Sequence, residues 1–137
     1  MRIGVPKEIK PQENRIGLTP DSVKTLVSEG HEVLVENNGG FEAGFDNDQY
    51  KNAGAKIIEK AADIFNDAEI IVKVKEPQKV EVEMIRENQI VYTYLHLAAA
   101  KELTESLVKS KSINIAYETI TDDNGRLPLL APMSAVA

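Results

Sequence analysis

Two short apolar runs in the middle of the chain strongly limit its fold. Residues 70–74 read IIVKV and residues 90–94 read IVYTY, and both runs are rich in β-branched side chains. Runs of this length and composition are typical of buried strands. The segment between them predicts a helix around residues 80–86. A strand, a helix and a second strand in this order indicate two parallel strands joined by a crossover.

The rest of the chain repeats this alternation. Further strands are predicted over residues 2–5, 31–35, 56–58 and 113–117, and further helices near residues 20–29, 47–53, 61–65 and 99–109. Thr19 is suited to cap the first helix, because its hydroxyl can accept a backbone N–H, and Pro20 favours the first helical position. The pattern predicts an α/β domain, a Rossmann-like or flavodoxin-like layered fold with a mostly parallel sheet and helices on both faces.

One segment departs from the alternation of strands and helices. Asn124 and Gly125 form a pair that favours a tight hairpin turn. We therefore expect residues 117–120 to pair with residues 127–130.

Composition excludes several classes of protein. The 137 residues suit one domain, and the formal net charge of −6 argues against nucleic acid or an anionic membrane as the main partner. The chain has no cysteine, so neither disulfides nor thiolate metal sites are available. The N-terminus does not resemble a secretory signal, and the longest nearly apolar run, residues 90–100, is too short to span a bilayer. We therefore expect a cytoplasmic protein.

The sequence offers no recognisable site for a nucleotide or a metal. Neither GxGxxG nor GxxxxGKS/T occurs, and the glycines at 39, 40 and 44 lack the required spacing. The two histidines show no metal-ligand spacing. We expect this segment itself to bind neither a dinucleotide nor a metal ion.

Polar residues that could do chemistry follow the apolar runs. Arg15 lies beyond the first run, and Lys75 and Glu76 follow the run at 70–74. Tyr94 ends the run at 90–94, and His96 comes two residues after it. In a parallel sheet these runs end at one edge, which is where ligands bind. Arg15 can grip a carboxylate with two charge-assisted bonds, Lys75 can donate to a carbonyl oxygen, and histidine is the natural proton carrier. Such a set suits a 2-oxo or 2-amino acid.

Each of these residues also has a structural interpretation. An arginine in a loop is most often a solvated surface charge, and a lone histidine is as often structural as catalytic. Lys73 and Lys75 share one face of the predicted strand, which an edge strand with solvent-facing lysines would also show. An unpaired ammonium is costly in an apolar interior, so we expect the Lys73 charge to reach solvent or a ligand.

Four separated motifs carry a family resemblance. They are MRIGVPKEIKPQENRIGLTP at the N-terminus, VKVKEP after Ile71, YTYLHLA at 92–98 and LPLLAPMSAVA at the end. Together they closely resemble the N-terminal part of bacterial alanine dehydrogenases. They are more distantly similar to the alpha subunit of proton-translocating pyridine nucleotide transhydrogenases.

The alanine dehydrogenase resemblance implies an NAD-dependent oxidoreductase that interconverts L-alanine with pyruvate and ammonium. Residues 1–137 would be its catalytic, substrate-binding domain, lacking the NAD-binding Rossmann domain and a C-terminal return segment. NAD would be bound mainly by the missing domain, and the intact protein would be a hexamer. We therefore expect the 137-residue chain alone to be inactive, as a fragment of the enzyme.

The same resemblance assigns roles to individual residues. Arg15 and Lys75 match the residues that hold the substrate carboxylate and carbonyl, and His96 matches the proposed acid/base. Tyr94 and Met133 match neighbours of the substrate pocket.

Ala135 is a departure from the family pattern, because many relatives have Glu after APMS. Two other functions stay open at this point. The chain could belong to a transhydrogenase subunit, or it could be a stand-alone module that binds pyruvate or alanine.

Overall fold

The computed structural model describes residues 1–132, and within them six strands form one parallel sheet. The strands are β1 (Arg2–Val5), β2 (Glu32–Glu36), β3 (Lys56–Ile58), β4 (Ile70–Val72), β5 (Ile90–Thr93) and β6 (Ile113–Ala116). The helices are α1 (Pro20–Ser28), α2 (Asn47–Asn52), α3 (Ala61–Asp67), α4 (Lys79–Val82) and α5 (Lys101–Ser110). One-turn 3₁₀ helices lie at Phe41–Ala43, Leu97–Ala99 and Tyr117–Thr119.

The strands lie in the order β3-β2-β1-β4-β5-β6, so β1 and β4 are neighbours at the centre. Every adjacent pair is parallel, which confirms the predicted α/β class. The chain winds outwards from β1 to one edge, returns to the centre at β4, and then winds to the other edge. The carboxyl ends of β1 and β4 therefore lie side by side where the winding direction changes, and such points form binding crevices.

Two apolar cores cover the two faces of the sheet. Successive strand residues alternate between them, so Val33 and Val35 lie in one core and Leu34 lies in the other. Helices α1 and α2 contribute Val23 and Tyr50 to the first core. Helices α3 and α5 contribute to the second core.

Helix starts follow the local signals in the sequence. Thr19 caps α1 as predicted, and its side chain accepts a bond of 3.3 Å from the Ser22 N–H. Asp46 caps α2, where its carboxylate and the Gln49 side chain bond each other's backbone N–H groups at 2.9 Å. No helix in residues 1–132 is long and apolar enough to cross a membrane.

The sequence prediction was wrong about the segment after β6. Residues 117–119 form a 3₁₀ helix rather than a strand, although the turn itself exists, since the Asp122 N–H donates to the Arg126 carbonyl at 2.9 Å. The Tyr117 hydroxyl donates to the Lys73 carbonyl at 3.0 Å, and Glu118 accepts backbone N–H groups near the end of β5. These side chains anchor the segment to the sheet, so the hairpin does not form.

Two predicted elements are shorter than expected by two or three residues. β4 ends at Val72, not at residue 74, and α4 has four residues. The strand ends early because the backbone N–H groups of Val74 and Lys75 donate to a side chain, the carboxylate of Glu8, and not to a neighbouring strand.

We expect Tyr50→Phe to reduce the free energy of unfolding by roughly 1–2 kcal/mol, because it leaves a carbonyl oxygen without its donor. The buried Tyr50 hydroxyl donates to the Leu18 carbonyl at 2.8 Å, and burial raises the pKa of this phenol to about 12. Tyr92→Phe is the matched control, since the Tyr92 hydroxyl makes no hydrogen bond within residues 1–132. Urea unfolding should show a loss for Tyr50→Phe alone, and equal losses would contradict the prediction.

Candidate functional site

The carboxyl ends of β1, β4 and β5 bring three polar segments together. The loop after β1 carries Arg15, the turn after β4 carries Lys75, and the chain after β5 carries Tyr94 and His96. These strands are neighbours in the sheet, so their ends meet at one edge. Gly17 lets the first segment lie close to the second, because a Cβ there would come within 2.6 Å of the Val72 carbonyl oxygen.

A cavity of about 440 Å³ opens at this edge. Its walls are mainly apolar, and Arg15 is its one charged lining residue among those the structure describes. The lining residues are Arg15, Ile16, Gly17, Leu18, Thr19, Ala43, Phe45, Val72, Val74, Tyr92, Tyr117 and Leu129. Lys75, Tyr94 and His96 do not line the cavity itself. They belong to the same edge but lie beyond its wall.

Arg15 is held by a neighbour that the sequence interpretation missed. Its Nε and Nη2 atoms donate to the two carboxylate oxygens of Glu13, at 2.9 and 2.6 Å. These bonds lower the pKa of Glu13 and raise that of Arg15, so the pair stays ionised. The Arg15 side chain is 51% exposed, and within residues 1–132 its Nη1 atom makes no hydrogen bond. Glu13 thus fixes one edge of the guanidinium and leaves the other for an incoming anion.

Lys75 lies half-buried in the turn after β4. Its backbone N–H donates to Glu8 at 3.1 Å, and its carbonyl accepts the Thr93 hydroxyl at 2.8 Å. The Lys75 charge also makes a small contribution, after the larger one of Arg15, to the lowered pKa of Glu13. Lys75 therefore lies near enough to the Glu13–Arg15 pair for its charge to act on the Glu13 carboxylate.

An aromatic cluster connects the cavity wall to His96. Tyr117 lines the cavity and packs edge-to-face on Tyr94, with 4.4 Å between ring centroids. Tyr94 in turn stacks on the His96 imidazole at 5.8 Å and 17°. Burial raises the pKa of both tyrosines, so they stay protonated and act as neutral hydrogen-bond donors. The Tyr94 hydroxyl donates to the Leu129 carbonyl at 3.2 Å.

His96 is exposed and has a left-handed backbone conformation, with φ 50° and ψ 40°. This conformation costs a non-glycine residue roughly 1–2 kcal/mol. Glu118, which is 9% exposed, supports it, because one of its carboxylate oxygens accepts the N–H groups of Leu95 and His96, both at 3.0 Å. The imidazole is thus presented to solvent from a firmly held backbone.

The position of the Lys73 side chain contradicts the prediction that its charge reaches solvent. Its ammonium does not reach solvent, since the side chain is 1% exposed and pairs with the carboxylates of Glu8 and Glu81. It is also not a solvent-facing lysine of an edge strand, because β4 is central and ends at Val72. The need for a counter-charge was visible in the sequence, but the identity of the two carboxylates was not.

Met133 lies outside the described residues. Tyr117, Glu13 and Glu118 are contacts that sequence analysis did not identify. Glu13 could have been found, since a carboxylate two residues before a binding arginine is a natural partner for it.

These observations define a class of protein. It is a parallel α/β domain in which an arginine, a lysine and a histidine follow strands whose carboxyl ends meet at one edge of the sheet, beside a cavity that the arginine lines. The chain belongs to the family described as "Alanine dehydrogenase/PNT, N-terminal domain", whose sequence model matches residues 4–137. The resemblance seen in the four motifs is thereby confirmed.

Individual relatives agree with this assignment. The alanine dehydrogenase of Staphylococcus epidermidis is 50% identical over all 137 residues. A solved structure of an L-alanine dehydrogenase superposes with a TM-score of 0.97 at 51% identity, covering all of this chain and 38% of that one. A transhydrogenase from Sinorhizobium meliloti superposes over 88% of this chain and 36% of its own, with a TM-score of 0.82 at 28% identity. The chain spans 37% of the length of the S. epidermidis relative.

Proposed function

We propose that residues 1–137 are the substrate-binding domain of an NAD-dependent L-alanine dehydrogenase. The enzyme would interconvert L-alanine with pyruvate and ammonium. The observation that carries the proposal is the free edge of the Arg15 guanidinium, held by Glu13 beside Lys75 at the strand ends. The names of the relatives point the same way.

Each residue has a distinct task in the proposed reaction. Arg15 would pair with the substrate carboxylate, and Lys75 would donate to the carbonyl oxygen of pyruvate and stabilise charge that develops there. His96 would carry protons as water adds to the imine carbon or leaves it. Tyr94 and Met133 would border the substrate, the latter by the family resemblance alone.

NAD would accept the hydride in the intact enzyme. This segment lacks a glycine-rich dinucleotide loop, so none of its residues is assigned to the cofactor. A Rossmann domain outside this segment would hold it. From the family resemblance we further propose a cytoplasmic homo-hexamer.

We expect Arg15→Lys to weaken pyruvate binding by about tenfold or more, because an ammonium cannot form the two-pronged pair with a carboxylate. The measurement is a titration of the chain with pyruvate, followed by NMR or calorimetry. Arg126→Lys is the control, since Arg126 is exposed in the turn near Asn124. Equal affinities for the wild type and Arg15→Lys would remove Arg15 from the site.

The whole reaction is tested on the protein made from the uninterrupted reading frame. L-alanine and NAD should together produce NADH, followed by its absorbance. Alanine-independent hydride transfer from NADH to an NADP analogue would instead indicate a transhydrogenase subunit. Binding of pyruvate without turnover would indicate a binding module.

A further inference from the structure

A charged triad lies buried where β1 and β4 end. The Lys73 ammonium is 3.0 Å from a carboxylate oxygen of Glu8 and 3.1 Å from one of Glu81. All three side chains are at most 2% exposed. Burying three ionisable groups is costly, and an apolar trio of similar volume is often as stable. The position of the triad therefore calls for an explanation beyond stability.

Glu8 does more than neutralise Lys73. One of its oxygens accepts the backbone N–H of Val74 and the other accepts that of Lys75, both at 3.1 Å. These are two successive amides of the turn that follows β4. The Val74 and Lys75 carbonyls accept the Tyr94 N–H at 3.2 Å and the Thr93 hydroxyl at 2.8 Å, but β4 ends at Val72, and the N–H groups of the turn have the Glu8 carboxylate in place of a sheet partner.

Glu81, the second carboxylate of the triad, makes different contacts from those of Glu8. It bonds Lys73 on one side and accepts the Gln78 N–H at 2.9 Å on the other, which caps α4. It makes no hydrogen bond to Val74 or Lys75 within residues 1–132. The two carboxylates thus share one ammonium but only Glu8 contacts the turn.

We propose that Glu8 is the positioning residue for Lys75, and this inference rests on the proposed role of Lys75 at the substrate carbonyl. A carboxylate that accepts two successive N–H groups sets the orientation of the turn and hence the starting point of the Lys75 side chain. The Lys73 ammonium, 3.0 Å away, supplies the counter-charge, and a carboxylate is an acceptor-only group, as both amides require. A small displacement of a binding group can lower the rate of a reaction many-fold, so a residue that fixes the position of Lys75 would affect the rate.

The test compares Glu8→Gln with Glu81→Gln in the 137-residue chain. Each variant removes one carboxylate from Lys73, but only Glu8→Gln places an NH₂ donor against the turn amides. Hydrogen exchange at Val74 and Lys75 should become about tenfold faster or more in Glu8→Gln, and pyruvate affinity should fall about tenfold. The Lys73 amide, which donates to the Tyr92 carbonyl at 3.0 Å, is the internal reference. Glu81→Gln should leave both readouts near the wild-type values.

The possible outcomes are distinct. Equal effects of the two variants would overturn the proposal, because a purely structural triad predicts them. Faster exchange in Glu8→Gln with unchanged pyruvate affinity would also overturn it. If the wild-type chain does not bind pyruvate, the proposed function of the segment fails, while the exchange pattern still decides whether Glu8 holds the turn. Should Glu8→Gln not fold, Glu8→Asp keeps the charge beside Lys73 and shortens the reach to the amides, so it takes its place.

Discussion

Lys73→Met is expected to reduce the free energy of unfolding at neutral pH by about 3–5 kcal/mol, which is typical of breaking a buried ion pair by removing one partner. The variant fills a similar volume but leaves Glu8 and Glu81 facing each other without their shared ammonium. Urea unfolding measures the loss. Lys24→Met is the control, because Lys24 is exposed on α1 and its charge is solvated.

The loss of unfolding free energy in Lys73→Met should depend on pH, and the direction of that dependence follows from the pKa of Glu81. Burial already raises the pKa of this carboxyl, and removal of the Lys73 charge, which opposes that rise, would raise the pKa further. A carboxyl with a folded pKa above its unfolded value binds protons more tightly in the folded state, so stability is lost as pH rises through the folded pKa. The destabilisation of Lys73→Met should therefore be smaller at pH 5 than at pH 8. An equal loss at both values would show that charge burial is not its cause.

His96→Ala is expected to lower kcat of the intact enzyme by about 10²–10⁴-fold, the usual contribution of a positioned acid or base. KM for pyruvate should change little, because Arg15 and Lys75 remain. The substitution removes the imidazole that stacks on Tyr94 but keeps the backbone N–H that Glu118 accepts, so the local fold should survive. Steady-state kinetics in both directions measure the effect.

The chain offers a matched control in its second histidine. His31 lies between α1 and β2, away from the strand ends that carry the site. His31→Ala should leave kcat within about twofold of the wild type, since it removes no group that reaches the substrate. An unchanged kcat in His96→Ala would exclude His96 as the acid/base.

Local signals were sufficient to predict most of the fold. β1 and β3 have the bounds expected from their apolar runs, and α1 begins at the expected cap, Thr19. Such signals work because a strand or a helix end depends mainly on residues within a few positions of it. The parallel order follows from the alternation, since a helix between two strands returns the chain to the same end of the sheet.

Contacts between distant parts of the chain limited the prediction. The turn at Asn124 forms, but Tyr117 bonds the Lys73 carbonyl, 44 residues away, and the flanking strands do not develop. Lys73 and Glu8 are 65 residues apart. No local pattern selects such a pair from all the carboxylates of the chain.

The amino-acid sequence alone indicates the order of the elements and the family resemblance. It also indicates the candidate residues Arg15, Lys75 and His96. These features depend on residues that are neighbours in the chain or on short sequence motifs. The partners that hold the candidates, namely Glu13, Glu8 and Glu118, become visible once the parallel sheet has folded. The sheet brings the ends of separate strands to one edge, and there burial and distance select which carboxylate meets which backbone amide or cation.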